Sequence, residues 1–284
     1  MIGAGPSGIA EALAFARRGA KVALLESAAH VGGHLAEFME PVFGNPNGWE
    51  WAKAMRRELE AARVDVRLNA EAIGRFEEHF FVACDERGLL RTRADRVIVA
   101  TGAYDQNELF ADSDRAGVYS ARAFSKLVAL YGVLPARNVL IAGSGDFAVS
   151  LALSLPELGA RVAGVVEKGG ALRAAPALAE RLRSTGTPVF LRHRVTAAVG
   201  WNRVKSARVA AVDEGEGEIT TRCDAIIVDA PRQPSWEIAS QAGADVGFVS
   251  ERGVFQTRCD PGGATSQPWL FVAGEAAGDE VRLG

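Results

Sequence analysis

One glycine pattern occurs twice in this chain, 140 residues apart. The first copy is MIGAGPSGIA, with Gly3, Gly5 and Gly8; the second is IAGSGDFA, with Gly143, Gly145 and Ala148 in the same places. Each copy leads into a segment with helical spacing and then a short apolar run that ends in a glutamate, Glu26 in the first and Glu167 in the second. Strand, glycine turn, helix and strand in this order make a βαβ unit, and continued alternation of strand and helix predicts a parallel sheet covered by helices. The fold class is therefore α/β. The pattern also has a chemical reading. The first glycine permits the tight turn, the second lets backbone approach a pyrophosphate, and the third lets the helix pack on the sheet. The free N–H groups of the helix start then face the phosphates, with Pro6 and Ser7 at the first helical positions. Glu26, twenty-three residues beyond Gly3, stands where a carboxylate accepts hydrogen bonds from ribose hydroxyls.

The second copy is less complete. Alanine replaces the third glycine, which the motif tolerates. A carboxylate at Glu167 repels a 2′-phosphate and favours NAD over NADP, although Lys168 and Arg173 nearby work against that preference. Asp146 sits where it could cap the following helix, and it adds negative charge beside any bound phosphate. A turn that keeps the fold and holds no ligand is the alternative for this copy.

Bulk properties exclude several classes. The 284 residues carry a formal net charge of −3, so there is no basic footprint for nucleic acid. No apolar run reaches the length of a membrane span and no leader precedes the first turn, so the expectation is a cytoplasmic protein without membrane contact. Cys84, Cys223 and Cys259 are too widely spaced for a redox or zinc pair and are expected to be small buried apolar residues. His30, His34, His79 and His193 show no ligand spacing, and no metal is expected.

Between the repeats, residues 49–63 read as a helix with Trp51, Met55 and Leu59 on one side. Residues 64–68 read as a strand, 80–93 as a hairpin turning near Arg87 and Gly88, and 95–103 as a buried strand entering a glycine turn. After the second repeat, 188–199 reads as a strand, 206–222 as a hairpin and 224–230 as a strand. The chain closes on the apolar run PWLFVAGEAAG.

Two such units in one chain resemble the two-dinucleotide-binding-domain flavoproteins, the group that includes thioredoxin reductase. VGGHL, with Gly33 and His34, resembles that group's glycine pair after the acidic residue. VIVATGA, with Thr101 and Gly102, resembles its strand-and-ATG turn. LFVAGEAAG, with Gly274 and Glu275, resembles its late A-G-D, whose Asp touches FAD; here Glu275 is one methylene longer. The resemblance implies two Rossmann-like, doubly wound, three-layer domains, one inserted in the other. Residues 1–104 and 230–284 would form an FAD-type domain truncated at both ends, and 105–229 an NAD(P)-type domain. ATGAY, FADSDRAGV and YGVLPARNVLIAG are more closely similar to the alpha subunit of heterotetrameric sarcosine oxidase and to the related subunits of hydrogen cyanide synthase and dye-linked proline dehydrogenase. That similarity implies a flavin-dependent oxidoreductase acting on an amine or amino acid together with a beta-type flavoprotein subunit. The first site would hold FAD, or NAD by analogy with the sarcosine oxidase subunit, and the second could hold NAD(P). The second domain lacks the C-x-x-C of thioredoxin reductase, so disulfide reduction is not expected. No catalytic acid, base or nucleophile stands out; His34 and Tyr104 could lie near a flavin, and Trp49 and Trp51 read as core rather than lid. Flavin chemistry does not require a protein nucleophile. The alternative is a non-catalytic or degenerate dinucleotide-binding subunit that acts through its partner. Only Met1 and Ile2 precede the first turn, and only nine residues follow Glu275; the expectation is that the true start lies upstream and that the chain is either a fragment or a reduced relative that has lost full flavin binding.

Overall fold

The computed structural model describes residues 1–77, 80–213 and 217–279. His79, the turn of the 206–222 hairpin at 214–216 and the tail at 280–284 lie outside them. The described chain divides into two compact units. One takes Met1–Ala36, Pro41–Tyr104 and 232–279; the other takes Glu37–Glu40 and Asp105–Pro231. The second unit is thus inserted in the first, and each is α/β with parallel strands, as expected.

In the first unit, Leu25 and Val99 both bridge to Ile2 in parallel. The strand Ala23–Leu25 pairs in parallel with Asp65–Arg67, and Val97–Val99 pairs in parallel with Leu270–Val272. Ile2, an isolated bridge between these two strands, carries bonds on both sides. Ile2 N–H donates to Ile98 O at 2.9 Å and Gly3 N–H to Leu25 O at 2.8 Å; Leu25 and Ala100 donate back to Met1 and Ile2. The helix Pro6–Arg17 begins with proline at its first position, where the missing N–H costs nothing. It buries Gly8, Ile9, Ala12 and Leu13 and stops at Gly19. Asn47 starts the helix Gly48–Ala61 by accepting Glu50 N–H, and Trp51 and Leu59 are buried from it. The unit also contains a three-stranded antiparallel sheet, Glu71–Glu77, Phe80–Asp85 and Gly88–Arg93. Its last two strands are the expected hairpin.

The second unit is built on five parallel strands in the order Val189–Leu191, Arg161–Glu167, Asn138–Ala142, Ala225–Val228 and Val118–Ser120. The central strands are continuously buried, as apolar runs without alternation demand when helices cover both faces. The helix Asp146–Ser154 buries six consecutive residues from Phe147 to Ala152 and ends ahead of Pro156. Residues Glu37–Glu40 pack with this unit. Phe38 meets Phe147 edge-on, and buried Glu40 receives Arg181 Nη1 at 2.5 Å and Ser154 Oγ at 3.2 Å. An antiparallel sheet, His193–Val199, Ser206–Ala211 and Ile219–Arg222, repeats the one in the first unit.

Three expectations are corrected. Residues 188–199 form two strands, because Arg192 takes a left-handed conformation (φ 55°) that sends Val189–Leu191 to the parallel sheet and His193–Val199 to the antiparallel one. Of the cysteines only Cys223 is buried; Cys84 is exposed because it lies on the outward side of its strand, and Cys259 is intermediate. Burial, reinforced by the charge of Asp224, pushes the Cys223 thiol up to about 12, so it stays protonated. Asp146 does not cap its own helix; its carboxylate accepts Ala175 N–H at 2.7 Å, at the start of the helix Pro176–Ser184. Among the described residues, no helix is long and apolar enough to cross a membrane.

Two substitutions test this packing. Ile226 is fully buried on a central strand, so Ile226→Ala is expected to lower the unfolding free energy by about 2–5 kcal/mol in urea titrations. A Cβ on Gly8 would lie 2.0 Å from the Gly3 carbonyl oxygen. Gly8→Ala is therefore expected to drive the helix Pro6–Arg17 off the sheet and to lower the melting temperature by several degrees.

Candidate dinucleotide sites

The first turn is assembled by close backbone approaches. Gly3 has φ 98°, and a Cβ there would strike Ala100 O at 2.3 Å, so the turn lies directly against the end of the strand Val97–Val99. Gly33 is packed onto Gly5 (its Cβ would stand 2.9 Å from Gly5 Cα) and Gly274 onto Ser7 (2.1 Å to Oγ). The Cβ position of Gly102 lies 3.8 Å from Glu275 Oε2. The structure thus brings Gly3, Gly5, Pro6, Ser7, Gly8, Gly33, Gly102, Gly274 and Glu275 into one neighbourhood. Thr101 belongs to the same turn, its hydroxyl donating to Ser235 O at 3.3 Å. His34, in the short helix Gly33–Glu37, is exposed beside the glycine pair.

Glu26 is buried at the edge of this turn. Its Oε2 accepts Ala4 N–H at 2.7 Å and its Oε1 accepts Ala28 N–H at 2.8 Å and the Ser27 hydroxyl at 3.3 Å. A carboxylate offers about four lone-pair directions, so acceptor capacity remains for a ribose hydroxyl. Gly5, at the N-cap of the helix, is open: a Cβ there would meet nothing within 4 Å. This is a cradle that a side chain would fill, with helix N–H groups at its floor, and a pyrophosphate fits it. Sequence motifs do not reveal Arg232, whose Nη1 donates to Glu275 Oε1 at 2.6 Å. Glu275, in the position expected to touch FAD, is thus already bound to a cation of the chain.

The second turn brings Gly143, Gly145, Ala148 and Glu167 together, but in different company. Buried Glu167 accepts from the Ser144 hydroxyl and, at 2.8 Å, from Gly169 N–H, with Arg173 Nε at 3.3 Å. Burial raises the Glu167 pKa, but the Ser144 and Gly169 hydrogen bonds and the Arg173 charge outweigh it and hold the carboxyl below the usual range. Asp229, which no motif singles out, puts Oδ2 2.6 Å from Gly145 N. The signal for it was present in the repeat: VIVATG of the first half aligns with IIVDAP of the second, setting Asp229 opposite Ala100.

Several known proteins are similar to this chain along nearly its whole length. Hydrogen cyanide synthase subunit HcnB of Pseudomonas aeruginosa is 26% identical, over 98% of this chain and 66% of its own. Sarcosine oxidase subunit alpha of Rhizobium meliloti is 27% identical, over 98% of this chain and 28% of its own. The chain therefore spans only part of each relative. Thioredoxin reductase from T. acidophilum shares the fold, with a TM-score of 0.77 at 21% identity over 97% of this chain and 88% of that one. The resemblance read from ATGAY, FADSDRAGV and the paired glycine turns is borne out. The family model for pyridine nucleotide-disulphide oxidoreductases, flavin-dependent enzymes that bind FAD and NAD(P), matches residues 1–283, and the chain belongs to that family.

Proposed function

We propose that this chain is the dinucleotide-binding, alpha-type subunit of a cytoplasmic flavin-dependent dehydrogenase or oxidase of amines or amino acids, and that its dinucleotide lies at the first turn. The observation that carries the reading is Gly5: an open N-cap position with no atom within 4 Å of its Cβ direction, flanked by buried Glu26. Gly3 and Gly8 are needed by the fold itself, whereas nothing within the described chain uses the space over Gly5. Gly3, Gly5, Pro6, Ser7 and Gly8 would hold the pyrophosphate, and Glu26 the adenosine ribose. Gly33, His34, Thr101, Gly102, Gly274 and Glu275 would face the remainder of the ligand. FAD fits this role; NAD is the alternative by analogy with sarcosine oxidase subunit alpha. A bound flavin would supply hydride acceptance, and the chain would supply binding and orientation. Relatives that are subunits of hydrogen cyanide synthase and sarcosine oxidase support a beta-type flavoprotein partner and an amine or amino-acid substrate.

A second reading, a subunit that binds a dinucleotide but acts only through its partner, is favoured by one observation: the Arg232–Glu275 ion pair engages the acid expected to meet FAD. Absorbance of the purified chain and identification of the dinucleotide released on denaturation separate FAD from NAD. In Gly5→Val, the added Cβ has no atom within 4 Å beyond its chain neighbours, so folding is expected to change by no more than about 1 kcal/mol, the scale of an N-cap exchange. Dinucleotide affinity is expected to fall by about tenfold or more from steric overlap with the pyrophosphate. A folded Gly5→Val protein that retains a stoichiometric dinucleotide overturns this placement.

A further inference from the structure

We infer that the second glycine turn is closed by the chain's own carboxylate: Asp229 occupies the anion position at Gly145, Arg173 holds it there, and NAD(P) is excluded from this turn. The inference goes beyond the function proposed above and does not depend on what binds at the first turn.

The repeat supplies an internal control. In the first unit a Cβ on Gly3 would lie 2.3 Å from Ala100 O; in the second a Cβ on Gly143 would lie 2.4 Å from Asp229 O. Ala100 and Asp229 therefore end equivalent strands and face equivalent turns. The methyl group of Ala100 leaves the space over Gly5 empty. The carboxylate of Asp229 fills the matching space over Gly145, where a Cβ would stand 2.5 Å from Oδ2. Gly145 N–H, at the start of the helix Asp146–Ser154, donates to that oxygen at 2.6 Å. This is the kind of N–H that a dinucleotide phosphate uses. One donor cannot serve both anions, and a phosphate beside a buried carboxylate is repelled by it.

Arg173 makes the closure complete. Its Nη2 reaches Asp229 O at 2.9 Å and Oδ2 at 3.1 Å, and its Nε reaches Glu167 Oε2 at 3.3 Å. Its own backbone N–H donates to Ser144 Oγ at 2.9 Å. The guanidinium thus lies from the phosphate end of the turn to the acid expected at the ribose end, and both acids have their partners inside the chain. Glycine at 145 is explained by Asp229 without any ligand, unlike glycine at 5.

Equilibrium dialysis with NAD+ and with NADP+ tests the closure. The wild-type chain is expected to bind neither beyond the single equivalent that the first turn can take. Asp229→Ala, which restores the residue type of the first unit, is expected to bind one further equivalent, about ten- to hundredfold more tightly than wild type, the scale of a charge-assisted hydrogen bond. Adding Gly145→Val to Asp229→Ala should remove that equivalent. If Asp229→Ala does not fold, as judged by its melting curve, Asp229→Ser takes its place. A second equivalent bound by the wild-type chain, or none gained by a folded Asp229 variant, overturns the inference. Because the gain is read at Gly145, it is separate from any failure of binding at Gly5.

Discussion

The contact on which each unit depends is that between the first glycine of its turn and the carbonyl oxygen at the end of the neighbouring strand. Gly3 lies against Ala100 O and Gly143 against Asp229 O so closely that any side chain would strike the oxygen. Both glycines also have φ near 100°, which side chains disfavour. Two demands, a left-handed turn and a missing Cβ, therefore meet at one residue. Meeting them seats the helix start at the carboxyl edge of the parallel strands, and Gly8 and Ala148 then let the helix settle on the sheet. The proposed binding residues of the first unit are arranged around that edge.

Because the scaffold is the same twice, the two sites differ through a few side chains. Backbone N–H groups of a helix start attract any anion, whether a ligand phosphate or a carboxylate of the chain. Which anion takes them depends on the residue that the closing strand delivers. In the first unit that residue is alanine and the N–H groups face open space. In the second it is aspartate, and a guanidinium stabilises it from the other side. Buried acids are costly unless paired and hydrogen-bonded, and Asp229, Glu167 and Glu40 each have an arginine: Arg173 for the first two and Arg181 for the third. These pairs give the second unit a set of charge-assisted bonds of its own where the first retains an open turn.

The correction at 188–199 has the same character. Continuous β-propensity makes one strand of that segment, and local preference says nothing against it. Arg192 adopts a left-handed conformation because the chain must leave the parallel sheet and join the antiparallel one, a choice made by packing. Cys84 likewise shows alternation overruling composition: a cysteine suits a core, but its place on the strand Phe80–Asp85 points it outward while Phe81 and Ala83 point in.

The sequence by itself determined the α/β class, the repeated βαβ units and the glycines of the first turn. It did so because each rests on local signals: apolar runs, helical spacing, and glycines where no other residue fits. Glu26 and Glu167 were legible in the same way, as acids at the ends of second strands. What only the tertiary structure decided is what those groups touch. Asp146 turns to Ala175, Glu275 to Arg232, Asp229 to Gly145, and Arg173 to two acids at once. These pairings join residues from six to eighty-four positions apart, and electrostatics between such residues has no periodicity to read. The folded chain alone shows that one glycine turn faces open space and the other a carboxylate.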